Sequence, residues 1–141
     1  MPPTTTIQPE AVAQLVEFMS NYQGEAIRIG KVVATARGPL LQLTHESGRP
    51  REYYTLEAEP RLLPDFDHEH ATWLARYYSE STAAIASVRF VTEFSDEYPW
   101  VNRLLPVYRI EFDSDDGLTL FVHTETNALA SINNDWKKGL R

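Results

Sequence analysis

The chain of 141 residues contains no cysteine. That removes disulfides, thiolate nucleophiles and cysteine-ligated metal centres, but it leaves the compartment open, since exported proteins often lack disulfides too. Basic residues are scarce as well: 13 Lys and Arg stand against 20 Asp and Glu, for a formal charge of −7 and a pI near 5.0. Nucleic acid is therefore not expected as a partner, because tracking a phosphate backbone needs a basic stripe. The same deficit speaks against adsorption of the domain body to an anionic membrane. No apolar run approaches the ~18 residues of a membrane span. The opening residues MPPTTT lack the basic start and apolar stretch of a signal peptide, so the expectation is either a cytosolic protein or a soluble piece of something longer. Missing too are a G-x-S-x-G elbow, a P-loop, a G-x-G-x-x-G turn and an H-E-x-x-H helix. His45 and His123 fall in strand-like runs with no nucleophile signature near them. With no catalytic set, the chain reads as a non-enzyme, and no cofactor is expected.

What is present is a strong two-residue period. Tyr108, Ile110 and Phe112 alternate with Arg109 and Glu111; after the turn Asp113-Ser114-Asp115-Asp116-Gly117, Leu118, Leu120 and Val122 alternate with Thr119, Phe121 and His123. A second turn, Thr124-Glu125-Thr126-Asn127, precedes Ala128, Ala130 and Ile132. Such alternation puts one set of side chains on one face of a pleated sheet, and that face needs a cover. Two amphipathic helices can supply it. The first opens at Pro9 and Glu10, which suit a helix N-terminus, and carries Val12, Leu15, Val16 and Met19 as one stripe. The second follows Asp67, a candidate N-cap, and carries Ala71, Leu74, Ala75 and Tyr78. After the first helix, strands are expected over 25–33, 40–45 and 51–56, with a turn at 34–39. After the second, a strand is expected over 83–94, and a bulge is needed there to place Ile85, Val88 and Phe90 on one side.

The element order thus repeats: a helix, three strands, then the same again. Glu10 aligns with Glu69, Leu15 with Leu74, Phe18 with Tyr77, Ser20 with Ser79 and Ile29 with Val88; further on, at a larger offset, Leu56 aligns with Val122, Glu59 with Glu125 and Leu63 with Leu129. The change of offset places an insertion in the second copy, at the aromatic loop 95–103. The expected fold is α+β: two repeated units, each one helix packed on a three-stranded or larger antiparallel sheet. The expected divisions are a loose arm over 1–6, a first unit over 7–64, a second over 65–134 and a tail over 135–141.

This pattern resembles the PepSY domain. In the second unit, Leu105-Pro106-Val107-Tyr108-Arg109-Ile110-Glu111-Phe112, the acidic turn with Gly117, and Thr119-Leu120-Phe121-Val122 are similar to the family's strand–turn–strand motif; Ile7, Pro9, Glu10 and Ala11 are similar to its helix start. Two positions depart from it. His123-Thr124 stands where the family has Asp-Pro, and Asn127 where it has a turn glycine, although Asn tolerates the left-handed backbone such a turn requires. The resemblance extends to PepSY-associated transmembrane proteins, whose paired units lie outside the cytoplasmic membrane. It implies a periplasmic location, anchorage through flanking segments of the same polypeptide, and binding or restraint of a peptidase or another membrane protein. Asp135-Trp136-Lys137-Lys138 would then approach a membrane border, where Trp and Lys are common. Some relatives are linked to iron uptake, which implies an alternative role as a metal- or haem-related sensor.

Three stretches carry residue types that could form a site. Asp65, Asp67, His68 and His70 are of the right kind for a transition metal. However, His68 and His70 would point about 200° apart on a helix, and structural zinc needs four converging ligands. A loop feeding a helix start is the simpler reading, and no metal site is assigned. The 113–117 turn superficially resembles a calcium loop, but the position that should hold a bidentate Glu is Thr124. Tyr98, Trp100 and Arg103 are the interaction candidates, since aromatic and Arg side chains anchor interfaces. Against this stands the expectation that Trp100 caps the open end of the core.

Overall fold

The computed structural model describes residues 9–134; the arm at 1–6 and the tail at 135–141 lie outside the described residues. The architecture is α+β, with two helices and two antiparallel sheets. Helix α1 (Pro9–Ser20) precedes β1 (Ile27–Thr35), β2 (Gly38–His45) and β3 (Glu52–Tyr54), which form a sheet in that order. Helix α2 (Phe66–Ser79) precedes β4 (Ile85–Val91), β5 (Val107–Phe112), β6 (Thr119–His123) and β7 (Ala128–Asn133), again in chain order. The chain divides into two compact units between Asp67 and His68, within the first turn of α2. No helix among the described residues is long and apolar enough to cross a membrane.

In the first unit, Gly30 pairs with Leu43 and Val32 with Leu41, which places these four on one sheet face. Helix α1 lies on that face. The end of the Met19 side chain occupies the space that a Cβ on Gly30 would need, so the missing side chain lets the helix approach. Phe18 meets Tyr54 at 4.9 Å. On the opposite face Val33, Leu40 and Tyr53 pack with Phe66, and Leu63 joins them. Strand β1 runs to Thr35, beyond the expected turn at 34–39, because the Thr35 hydroxyl closes a tighter one: it accepts from the Arg37 N–H (3.1 Å) and donates to the Gly38 carbonyl (2.7 Å). Strand β3 is shorter than expected, since the chain folds back at Thr55, whose N–H donates to the Arg61 carbonyl. It returns beside β3 and makes an isolated bridge between Leu62 and Tyr54.

Asp67 does not cap α2. The helix begins one residue earlier, after Asp65 turns the chain at φ 55°, and the Asp67 carboxylate is buried, accepting from the Tyr53 hydroxyl (2.6 Å) and the Arg51 N–H (3.0 Å).

In the second unit α2 lies on its sheet through the expected stripe: Ala71, Leu74 and Ala75 are buried against Tyr108, Ile110, Phe112, Leu120 and Val122, with Tyr78 beside them. The register of β4 on β5 shifts between Ile85 and Ser87, the irregularity needed to bring Ile85, Val88 and Phe90 to this core. All five residues of β6 are buried, because its other face is also covered: Val91, Val107, Phe121 and Tyr98 form a second cluster there. The alternation expected for the last strand is overturned. A register shift between Phe121 and Val122 brings Leu129 to the α2 side, while Ile132 is left largely exposed.

Candidate functional site

The loop 92–106 joins β4 to β5 and is built around Tyr98. Ser95 starts a tight turn by accepting from the Tyr98 N–H at Oγ, while its own N–H donates to the Tyr98 carbonyl. The turn drops the Tyr98 ring onto Phe121, with centroids 4.7 Å apart and planes 17° from parallel; Phe94 stacks on its other side at 5.8 Å. The phenol donates to the Leu104 carbonyl at 2.9 Å, tying the two ends of the turn together. Burial pushes the Tyr98 hydroxyl pKa up to about 12. Glu97 holds the flank by a two-pronged pair with Arg109, at 2.8 and 3.1 Å, and approaches Arg89 at 3.6 Å. Arg109 also reaches Glu111 at 3.0 Å, and its hydrogen bonds, chiefly to Glu97, raise its pKa further and keep it charged.

This anchored frame ends in one 3₁₀ turn, Trp100–Asn102, closed by Arg103 at φ 65°. Its side chains are not sunk. Trp100 is 69% exposed and Val101 64% exposed, and Arg103 is exposed beside them. The expectation that Trp100 caps the core is therefore wrong. Tyr98 does that work, because the Ser95 turn points residue 98 inward and the next turn carries Trp100 outward. Of the three residues singled out in this loop, Tyr98 is structural, whereas Trp100 and Arg103 share the tip.

The stretch 65–70 does not converge. Asp67 is engaged with Tyr53 and Arg51. His70 is buried, stacks on Trp73 at 5.7 Å, and donates from Nε2 to the Asn127 side-chain oxygen at 2.6 Å. Asp65 and His68 are exposed. Among the described residues no group of three or more His, Asp or Glu side chains could hold a metal ion. The 113–117 turn is a hairpin connection: Ser114 donates to Asp116 at 2.7 Å, and Gly117 takes φ 58°.

One cluster lay beyond sequence reasoning. The Tyr22 hydroxyl donates to Glu52 (2.7 Å) and lies 2.9 Å from Nε2 of the buried His45. Arg49 donates to the same nitrogen at 3.2 Å, and its guanidinium pairs with Glu25 at 2.9 Å and Glu52 at 3.4 Å. Burial, then the Glu52 carboxylate, raise the Tyr22 pKa, so the phenol stays neutral. Arg49 and Glu52 are at a spacing that could have been noticed, but Tyr22 and His45 come from distant segments with no motif. Through these contacts the cluster fastens the segment after α1, by way of Tyr22, to the sheet.

Comparison with protein-family models, with curated proteins and with solved structures gave no match.

Proposed function

We propose that this chain is a non-catalytic binding or regulatory module of a membrane-anchored protein, working on the extracytoplasmic side and engaging a peptidase or another membrane protein. The observation that carries this reading is the loop tip: a Trp and a Val displayed to solvent on a frame that stacking, hydrogen bonds and an ion pair hold fixed. A rigid aromatic anchor loses little freedom on binding, which is why such residues dominate interfaces. The PepSY resemblance supports the choice of partner and compartment. It draws further support from similarities between the two units. Each opens with a helix, each has a register shift near the start of its first strand (Ile27/Ile29 and Ile85/Ser87), and the bridge at Leu62 falls where the second unit has its fourth strand. We take these as marks of two copies of one ancestral unit, with the loop 92–106 as the insertion.

The test is capture of partners from envelope extract by the wild-type chain and by a Trp100→Ala, Arg103→Ala variant. The variant should lose the specific partner; equal recovery removes the loop from the account. Translation of the flanking reading frame should reveal hydrophobic segments if the compartment is right. Among the described residues no group of His, Asp and Glu side chains converges to support the sensor alternative. Calorimetric titration with zinc, copper and ferrous iron should accordingly give no heat of specific binding.

A further inference from the structure

The Arg103 guanidinium stands apart from the other cations of this molecule. Among the described residues every other Arg and Lys is engaged in an ion pair, a hydrogen bond or another electrostatic contact, whereas the Arg103 side chain has no such partner. In a chain with 20 acidic residues against 13 basic ones, an unmatched cation is the exception. The loop does not supply a match: between Glu97 and Glu111 the sequence has no acidic residue, and Glu97 is held on the flank by Arg109 and Arg89. The backbone makes the same point. Arg103 closes the 3₁₀ turn at φ 65°, a conformation in which glycine is the ordinary choice and a Cβ is disfavoured. No internal pairing of the side chain offsets this. The Arg103 N–H donates to the Trp100 carbonyl at 3.0 Å, so the guanidinium springs from the same turn as the exposed Trp100 and Val101. An indole and an unpaired guanidinium on one fixed turn match a site of two parts, an apolar cavity and an anion at its mouth. Arg takes a carboxylate through two parallel N–H···O bonds, and an aromatic ring buried beside such a pair keeps water from it.

We infer that the loop tip docks into an apolar pocket of a partner protein that carries a carboxylate at its mouth. Trp100 and Val101 fill the pocket, and Arg103 pairs with the carboxylate. This inference rests on the binding-module reading and names the chemistry of the surface that the tip meets. A phospholipid surface also takes Trp and Arg together, but the acidic surplus of the body disfavours it where the lipid is anionic.

The probes are three β-cyclodextrins, titrated into the full chain while the amide resonances of the tip are followed by NMR. Each offers an apolar cavity, with a rim that is neutral in the first, carboxymethylated in the second and aminated in the third. The net charge of −7 favours the aminated host in general, so a preference for carboxylates must come from the tip itself. We expect the carboxymethylated host to bind there at least about threefold more tightly than the neutral one, and the aminated host more weakly than either. Arg103→Gly should erase the preference and Arg103→Glu should reverse it, while Trp100→Ala should abolish the tip shifts with every host. Glycine suits the backbone of this turn, so the comparison does not depend on the charge-reversed chain folding. Equal affinity for the neutral and carboxymethylated hosts, a preference that survives in Arg103→Gly, or no shift at the tip overturns the inference. So do tip shifts with vesicles of phosphatidylcholine and phosphatidylglycerol. Partner capture with single variants separates the two readings. If capture is lost in Trp100→Ala and unchanged in Arg103→Gly, the module stands and this inference falls. If the host series behaves as expected while the doubly substituted chain captures the same envelope partners, the tip chemistry stands and the envelope reading falls.

Discussion

Asn127 shows how much one side chain can settle. It turns the chain between β6 and β7 at φ 54°, its side-chain oxygen accepts from buried His70, and its carbonyl accepts from Tyr78 at 2.6 Å. The left-handed backbone costs an ordinary residue about 1–2 kcal/mol, and a lost buried hydrogen bond about 1–3 kcal/mol. Asn127→Ala should suffer both losses and Asn127→Gly only the second, so chemical denaturation should rank wild type above glycine above alanine. An alanine variant as stable as the glycine one would remove the backbone argument. The tyrosines give a pH dependence. Burial first of all raises the pKa of Tyr22, Tyr54, Tyr78 and Tyr98 above the ordinary value near 10. Their neutral forms are thus favoured in the folded state, and the unfolded chain releases protons first. The stabilisation is complete below about pH 10 and is lost as pH climbs from there through the folded-state values. Denaturation midpoints should fall steeply beyond about pH 10, less so in Tyr98→Phe; a midpoint unchanged up to about pH 12 would contradict this.

At the scale of elements, α2 was easier to read than α1, whose expected stripe leaves Val12 and Val16 exposed and only Leu15 and Met19 half-buried. The stripe from Ala71 to Tyr78 has a helical period and lands on its sheet as expected. The need for a bulge in β4 followed from three apolar residues that simple alternation could not place together. What failed were features decided by hydrogen bonds that a periodic pattern does not register, some between distant segments and some within one turn. Asp67 looked like a cap, yet its partners Tyr53 and Arg51 lie well back in the chain. Trp100 looked like a core residue by size, but the Ser95 turn, invisible to periodicity, gave the interior to Tyr98 instead. Leu74 is fully buried beneath α2. Leu74→Asp should cost more than about 3 kcal/mol, since a carboxylate there has neither water nor a partner. An unchanged melting temperature would refute the docking of α2. The loop offers a sharper contrast: Tyr98→Ala should cost about 3–5 kcal/mol, whereas Trp100→Ala should fall within about 0.5 kcal/mol of wild type. Comparable losses at both positions would mean that Trp100 is packed.

For the molecule as a whole, two helix-and-sheet units give most of the chain's apolar residues a place, and the remaining apolar surface is informative by where it lies. Large side chains are left in water at the tip of the 92–106 loop and along the open side of α1, on a body whose acidic surplus discourages nucleic acid and anionic lipid. A candidate loop could be picked from sequence because Tyr98, Trp100 and Arg103 cluster there. Which of them faces solvent could not, since that depends on how Phe121 and Leu104 receive the first of them. The most direct test is site-specific photo-crosslinking in cells, with the reactive residue at Val101 and, as a control, at the exposed Ala58. A discrete partner adduct from position 101 and none from position 58 is the predicted result. No adduct, or the same adducts from both positions, would contradict the claim that this chain works by presenting its loop tip to another protein.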